Sequence, residues 1–316
     1  MFLVLSAFLL TRLLKAEWDA TGATDIKHFY LRRLLRIWPL HWGFVTAMLV
    51  LQLAQHPEIL REAVGFWLSH ILFVNNIVMS VIGFERRLAF SSHLWTISLE
   101  EQFYIIVPLV MLLVGRRSVT PRKLAAVFGL VIMVLMGMRA ACALLQMPHP
   151  FIWVLPLRGD SMVLGMALGL GILDGCLKEH RGVLCFIAGV VVLALASQMP
   201  SLWDVGWQQV VGYTIIDTGC VLLVAGVLEQ NFISRFLANP IFRYLGKISF
   251  GLYVYHILAI AAGTKLSERM FHGNPWVTVL ISFALTVMMA ATSYHLFERR
   301  FLLLKERFST VKSRPA

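Results

Sequence analysis

The amino-acid sequence predicts an all-α protein, a polytopic bundle of transmembrane helices. Three observations carry that reading. The 316 residues are 59% hydrophobic and only 14% charged, whereas a soluble globular domain carries roughly 25% charged residues. The mean hydropathy is +0.76. Apolar runs recur from one end to the other, most of them long enough to cross a hydrocarbon core of about 30 Å. The runs are continuous rather than alternating, which excludes a β-barrel.

In chain order the candidate spans are 2–14, 38–55, 64–83, 94–114, 124–145, 155–174, 183–198, 207–228, 248–264 and 276–296. The first is short for a crossing and starts at Met1 without a basic flank, so it reads neither as a signal peptide nor as a complete span. Counting every run as a full crossing puts the basic loop 115–123 (GRRSVTPRK) outside, against the positive-inside rule. Treating 64–83 as re-entrant, or as lying along the outer face, places 27–36, 115–123, 178–181, 235–247 and the tail from Arg299 in the cytoplasm. His70, Asn75 and Asn76 suit a helix that does not traverse lipid, although Arg86 and Arg87 then fall outside. The expected architecture is therefore about nine spans with a cytoplasmic C-terminus. Residues 1–316 are expected to form one membrane domain with no appended soluble domain. Gly165, Gly169 and Gly171 make a small-residue seam for close helix packing.

The net charge of +11 sits in short loops, where topology accounts for it, so no nucleic-acid partner is expected; the bilayer is the partner. Cys142, Cys185 and Cys220 lie in apolar runs and Cys176 just past one. No CxxC spacing appears, so neither a disulfide framework nor a metal site is expected.

Ionisable groups inside spans are costly and mark cavities or partners. The densest set is in SSHLWTISLEEQFY (91–104). At 100° per residue His93, Glu100 and Tyr104 share one helix face, with Glu101 a quarter-turn away. A carboxylate two turns into a span is poised to act as a base or to orient one; the alternative is a polar cluster that locks helices together. A second set, Ser249, Tyr253 and His256, shares a face in GKISFGLYVYHILAI, where interhelical hydrogen bonding is the competing role. Arg139, Arg158, Asp160 and Asp217 complete the list, with Arg158 and Asp160 open to neutralising one another. In FYLRRLLRIWPL, Arg32, Arg33 and Arg36 stand where the chain enters a span. Arg32 and Arg36, four apart, stack on one face in a geometry suited to phosphate, or serve as a positive-inside anchor. Trp38 and Trp42 fit an interfacial aromatic belt.

Taken in order, FLVLSAFLLTRLL (2–14), FYLRRLLRIWPLHW (29–42), HLWTISLEEQFYIIVPL (93–109), LPLRGDSMVLGMALG (155–169), LGKISFGLYVYHI (245–257) and YHLFERRF (294–301) resemble the membrane-bound acyltransferase-3 family. That family includes bacterial O-acetyltransferases acting on O-antigen, peptidoglycan and exopolysaccharide. HLW…EEQFY is the most specific segment. The resemblance implies an O-acyltransferase of the inner membrane. It would take an acyl group, often acetyl, from acyl-CoA such as acetyl-CoA on the cytoplasmic side and deliver it to a hydroxyl, usually of a carbohydrate, at the outer face. It also implies cofactor-phosphate contacts at Arg32, Arg33 and Arg36, catalysis at Glu100 with His93 and Tyr104, and acceptor contacts at Arg158, His256, Tyr253 and Glu101.

The family pattern has a further span ahead of FLVLSAFLL, bearing an arginine and the histidine viewed as the essential base, and ten spans in all. Segment 2–14 resembles the second family helix clipped at its start, so one span is expected to be missing. A late start site and a degenerate, inactive paralogue are the two explanations, and the regular spacing of the other motifs favours the first. From another class, a transporter or lipid-linked sugar flippase remains the alternative function, disfavoured because no inverted repeat is visible.

Overall fold

The computed structural model describes residues 1–83, 88–116, 120–147, 154–174, 181–229 and 231–308. Arg86, Arg87, Cys176, the centre of the 115–123 loop, most of 178–181 and the tail beyond 308 lie outside the described residues. Among the described residues all regular structure is helical: α1 (Phe2–Thr21), α2 (Ile26–Gln55), α3 (Leu60–Ile71), α4 (Asn75–Ile82), α5 (Trp95–Arg116), α6 (Pro121–Leu144), α7 (Leu155–Arg158), α8 (Asp160–Gly169), α9 (Gly182–Ala196), α10 (Trp207–Leu228), α11 (Phe232–Leu237), α12 (Pro240–Lys247), α13 (Ser249–Phe271), α14 (Pro275–Ser293) and α15 (Arg299–Glu306). A π-helical turn, Tyr294–Glu298, joins the last two. Among the described residues five stretches, Ile26–Gln55, Ser92–Val114, Pro121–Leu144, Trp207–Leu228 and Pro275–Glu306, are long and apolar enough to cross a membrane. A sixth is present if α12 and α13, bent by 73° at their junction, count as one.

Several runs end differently from their hydropathy. Helix α1 continues seven residues past 14, because the Lys15–Asp19 pair (2.9 Å) supports the extra turns, and it stops only at Gly22, which adopts the left-handed conformation. Segment 64–83 is not one helix. It breaks after Ile71, where Phe73 takes φ 54° and its N–H reaches the His70 carbonyl while Val74 N–H reaches Ser69. This is a Schellman-type stop with phenylalanine in the position usually held by glycine. Segment 155–174 breaks at Gly159 and ends in a second left-handed turn at Gly171, leaving α8 only 10 residues long.

The helices fall into two compact units. The first contains α1, α4 from Asn76 onward, and α5–α11. Here α1 packs on α8, and α10 on α9, α8 and α6. Glycine makes these contacts close. A methyl group at Gly165 would collide with the Val4 carbonyl and lie 2.8 Å from Ala7 Cβ; one at Gly169 would lie 2.9 Å from the Phe8 carbonyl. Gly165 and Gly169 thus form the expected seam, with α1 as its partner, while Gly171 serves the turn instead. Along α9 and α10, Gly189 abuts the Gly219 carbonyl and Gly226 the Phe186 amide in the same way. Val4, Phe8, Leu168, Cys220, Val221 and Val224 form the apolar core.

The second unit contains α2, α3, the 3₁₀ turn Ser92–Leu94 and α12–α15. Helices α13 and α14 pack along their length, with Gly263 against Ser282, while α2 packs on α3 and α15. In both units close approach at small residues brings van der Waals packing to helices that share an apolar surround.

Candidate functional site

In the first unit the opening motif builds a polar trio. Glu100 and Tyr104, one turn apart on α5, are 3% and 2% exposed. Ser6 on α1 and Tyr104 both donate short hydrogen bonds to Glu100 Oε1, and the two hydroxyls lie 2.9 Å apart. The Glu100 side chain therefore faces the α1–α5 contact rather than the unit's surface. A buried carboxyl oxygen receiving two O–H donors fixes both hydroxyls in place. Ser6 was not among the sequence candidates; its signal was the one hydroxyl in the apolar stretch 2–10. Asn76 and Gln102 exchange amide hydrogen bonds at 3.2 and 2.9 Å. Glu101 is half-buried on the adjacent face of α5.

His93 does not share that face. It lies in the 3₁₀ turn ahead of α5, where three rather than 3.6 residues make a turn, so the 100° projection fails there. Its ring belongs to the second unit, where Nε2–H donates to the Val254 carbonyl at 3.2 Å and the ring stands edge-on to His256, 4.5 Å between centroids. Tyr253 O–H donates to the His93 carbonyl, and His256 Nδ1–H to the Tyr253 carbonyl at 2.6 Å. His93, Tyr253 and His256 are thus together, while Ser249 is exposed. Deeper in this unit His41 Nε2–H donates to the His70 carbonyl at 3.2 Å, and Phe73 stacks on His41 with centroids 5.1 Å apart.

Also in the first unit, the buried charges pair differently from the sequence expectation. Arg158 does not meet Asp160: the helix breaks between them at Gly159, and the two side chains take different partners. Arg139 donates to Asp160 at 2.7 Å, to Thr214 at 2.7 Å and to the Leu157 carbonyl at 3.2 Å, with no side-chain exposure on either charge. Arg158 instead approaches Asp217 at 3.5 Å and lies over the Tyr213 ring, 4.1 Å from its centroid. Ser161 donates to Asp217 at 2.6 Å. A cavity of about 410 Å³ in this unit is bordered by Arg12, Lys15, Asp19, Asp174, Arg181 and Glu229. None of the sequence candidates lines it.

The arginine motif starts α2, in the second unit. Asp25 caps the helix, and the His28 backbone N–H (3.0 Å) holds its carboxyl below the usual range, with smaller help from Arg32. Arg32 and Arg36 do share the stripe but not the environment. Arg32 is 4% exposed and donates to the Phe308 carbonyl at 2.8 Å, whereas Arg36 is exposed. Arg33 lies 5.9 Å from the Phe29 ring centroid. Lys305, on α15, comes within electrostatic reach of Arg36, Arg33 and Arg32. Sequence reading missed it because α15 and α2 are far apart in the chain. Among the described residues no group of three or more His, Cys, Asp or Glu is arranged to hold a metal.

The chain is 24% identical, over an alignment of 337 positions covering all of it and 54% of the relative, to a Staphylococcus aureus (strain COL) protein named "Putative O-acetyltransferase SACOL0978". It is 24% identical over 310 positions to "O-acetyltransferase OatA" of Staphylococcus aureus (strain NCTC 8325 / PS 47), with 94% of this chain and 51% of that protein covered. The chain thus spans about half the length of the curated relatives it matches. No solved structure matches it. The model of the family described as "Acyltransferase domain" matches residues 1–295, and the chain belongs to this acyltransferase-3 family.

Proposed function

We propose that the chain is a multi-pass inner-membrane O-acyltransferase. It moves an acyl group, acetyl in the simplest case, from acyl-CoA to a hydroxyl of a cell-envelope carbohydrate. The observation that carries this is the acyltransferase match across residues 1–295. That match runs through both compact units, which supports reading them as one membrane domain; in this reading the domain has about nine spans and a cytoplasmic C-terminus. Helices α1, α8 and α9, of 20, 10 and 15 residues, would bring the six longer stretches to nine.

In this reading Arg32, Arg33 and Arg36 bind the phosphates of the donor. Guanidinium groups suit phosphate because their planar donors pair with its oxygens, and the unit presents cations there. Glu100 keeps Ser6 and Tyr104 aligned through charge-assisted hydrogen bonds, a fixed polar arrangement against which an acceptor hydroxyl can be oriented. Arg158, stacked on Tyr213, and Glu101 offer acceptor contacts in the first unit; Tyr253 and His256, with His93, offer them in the second.

The test uses membranes carrying the full chain, labelled acetyl-CoA and an envelope carbohydrate fraction. Label should appear on the carbohydrate and fall sharply in Glu100→Gln and in Arg36→Ala. Equal activity in both variants contradicts the residue assignment. Movement of the carbohydrate across the membrane with no consumption of thioester would instead identify a transporter.

A further inference from the structure

We infer that Lys305, on the C-terminal helix α15, completes with Arg32, Arg33 and Arg36 a binding site for an anionic phosphate ester. Three features of the second unit carry this. The segment bearing Lys305 is docked on α2 at the arginine motif. Arg32 NH1 donates to the Phe308 carbonyl at 2.8 Å, the Phe308 N–H returns to the Lys305 carbonyl at 3.1 Å, and the Phe308 ring lies 5.6 Å from that of His28.

The second feature is an excess of cations. Half-buried Lys305 feels Arg36, Arg33 and Arg32 together, opposed among the described residues by the adjacent Glu306, while Asp25 lies within electrostatic reach of Arg32. Gathering four like charges in a partly desolvated place is unfavourable unless an anion offsets them. Third, neither Lys305 nor Arg36 has a hydrogen bond or ion pair within 4 Å among the described residues. Buried Glu298, 7% exposed, lies within electrostatic reach of Arg36 and receives a hydrogen bond from Ser293 at 3.1 Å. Arg36 and Lys305 therefore retain donors for a ligand. Two sources share the required chemistry: the phosphates of a nucleotide thioester donor and the headgroup of an anionic lipid. The choice of coenzyme A as a probe rests on the proposed donor reading; the phosphate chemistry does not.

The test takes the full chain in nanodiscs of zwitterionic phosphatidylcholine and titrates coenzyme A, comparing the parent with Lys305→Ala and Lys305→Arg. Lys15→Ala, in the other unit and paired with Asp19, is the control. A second arm adds phosphatidylglycerol and measures lipid retained by each protein. Loss of one charge-assisted contact predicts about tenfold weaker binding in Lys305→Ala. Lys305→Arg should keep most of the affinity, and Lys15→Ala should match the parent. Circular dichroism checks that each variant retains its helix content, and the arginine variant guards against a folding effect of the alanine. If coenzyme A does not bind but phosphatidylglycerol is retained through Lys305, the phosphate site stands with a lipid occupant and the donor reading fails. If coenzyme A binds the parent and Lys305→Ala equally and lipid retention is also unchanged, the inference is overturned while the donor reading survives. Failure of the parent chain to bind either ligand overturns it too.

Discussion

Replacing Asp160 by leucine while Arg139 stays in place would leave a guanidinium buried against the Thr214 hydroxyl and the Leu157 carbonyl alone. Both charged side chains of this pair are fully buried and meet at 2.7 Å. Removing one member of a buried pair typically costs about 3–5 kcal/mol, because the remaining charge is uncompensated. Two effects reduce the loss. Asp160 and Asp217 repel one another, so deleting Asp160 relieves that repulsion. Arg139 also keeps its 2.7 Å bond to Thr214, although hydrogen bonds between membrane helices average only about 0.6 kcal/mol. The expected loss for Asp160→Leu alone is about 2–4 kcal/mol, with Arg139→Met similar. The double replacement removes both charges and should lie close to the parent. The coupling energy should therefore be about 4 kcal/mol or more, close to a thousandfold in the folded-to-unfolded ratio. Unfolding of the detergent-purified chain by SDS, followed by circular dichroism, measures all four proteins. A double variant as unstable as the sum of the singles would refute the mutual neutralisation argued here.

Gly165→Ala should destabilise by about 1–3 kcal/mol, because its methyl meets the Val4 carbonyl and Ala7. Gly137→Ala on α6, with nothing within 4 Å, should stabilise by about 0.5–1 kcal/mol; thermal melting of both tests the seam by opposite signs. Phe73→Gly relieves a left-handed phenylalanine, worth about 1–2 kcal/mol, but removes a buried ring that stacks on His41 and Trp38, worth about 3–5 kcal/mol. Net loss is expected, and a rise in melting temperature would mean the ring contributes little. Ser6→Ala should lower acyl transfer while the helix content measured by circular dichroism stays unchanged.

The long apolar runs were legible because continuous hydrophobicity in a chain this poor in charge admits little besides helix. Run 207–228 coincides with α10 at both ends. Helix starts at Pro121, Pro240 and Pro275, each behind a Thr or Asn cap, were written in short-range chemistry. The break at Phe73 was not, since glycine is the usual signal for that backbone and phenylalanine hides it. Glu100 with Tyr104 was legible from helical spacing alone, whereas Ser6, Lys305 and the Arg139–Asp160 pairing depend on which distant elements meet. His93 was misplaced because a 3₁₀ turn does not keep the periodicity of the helix it precedes.

The most direct test of the account is a single comparison of parent and Glu100→Gln in membranes, following thioester cleavage and acyl ester formation on the carbohydrate together. Loss of a group that orients a proton transfer predicts ester formation reduced by about 10²-fold or more, with the protein present and folded. Ester formation at the parent rate in Glu100→Gln would contradict the central claim that this buried carboxylate serves the acyl transfer.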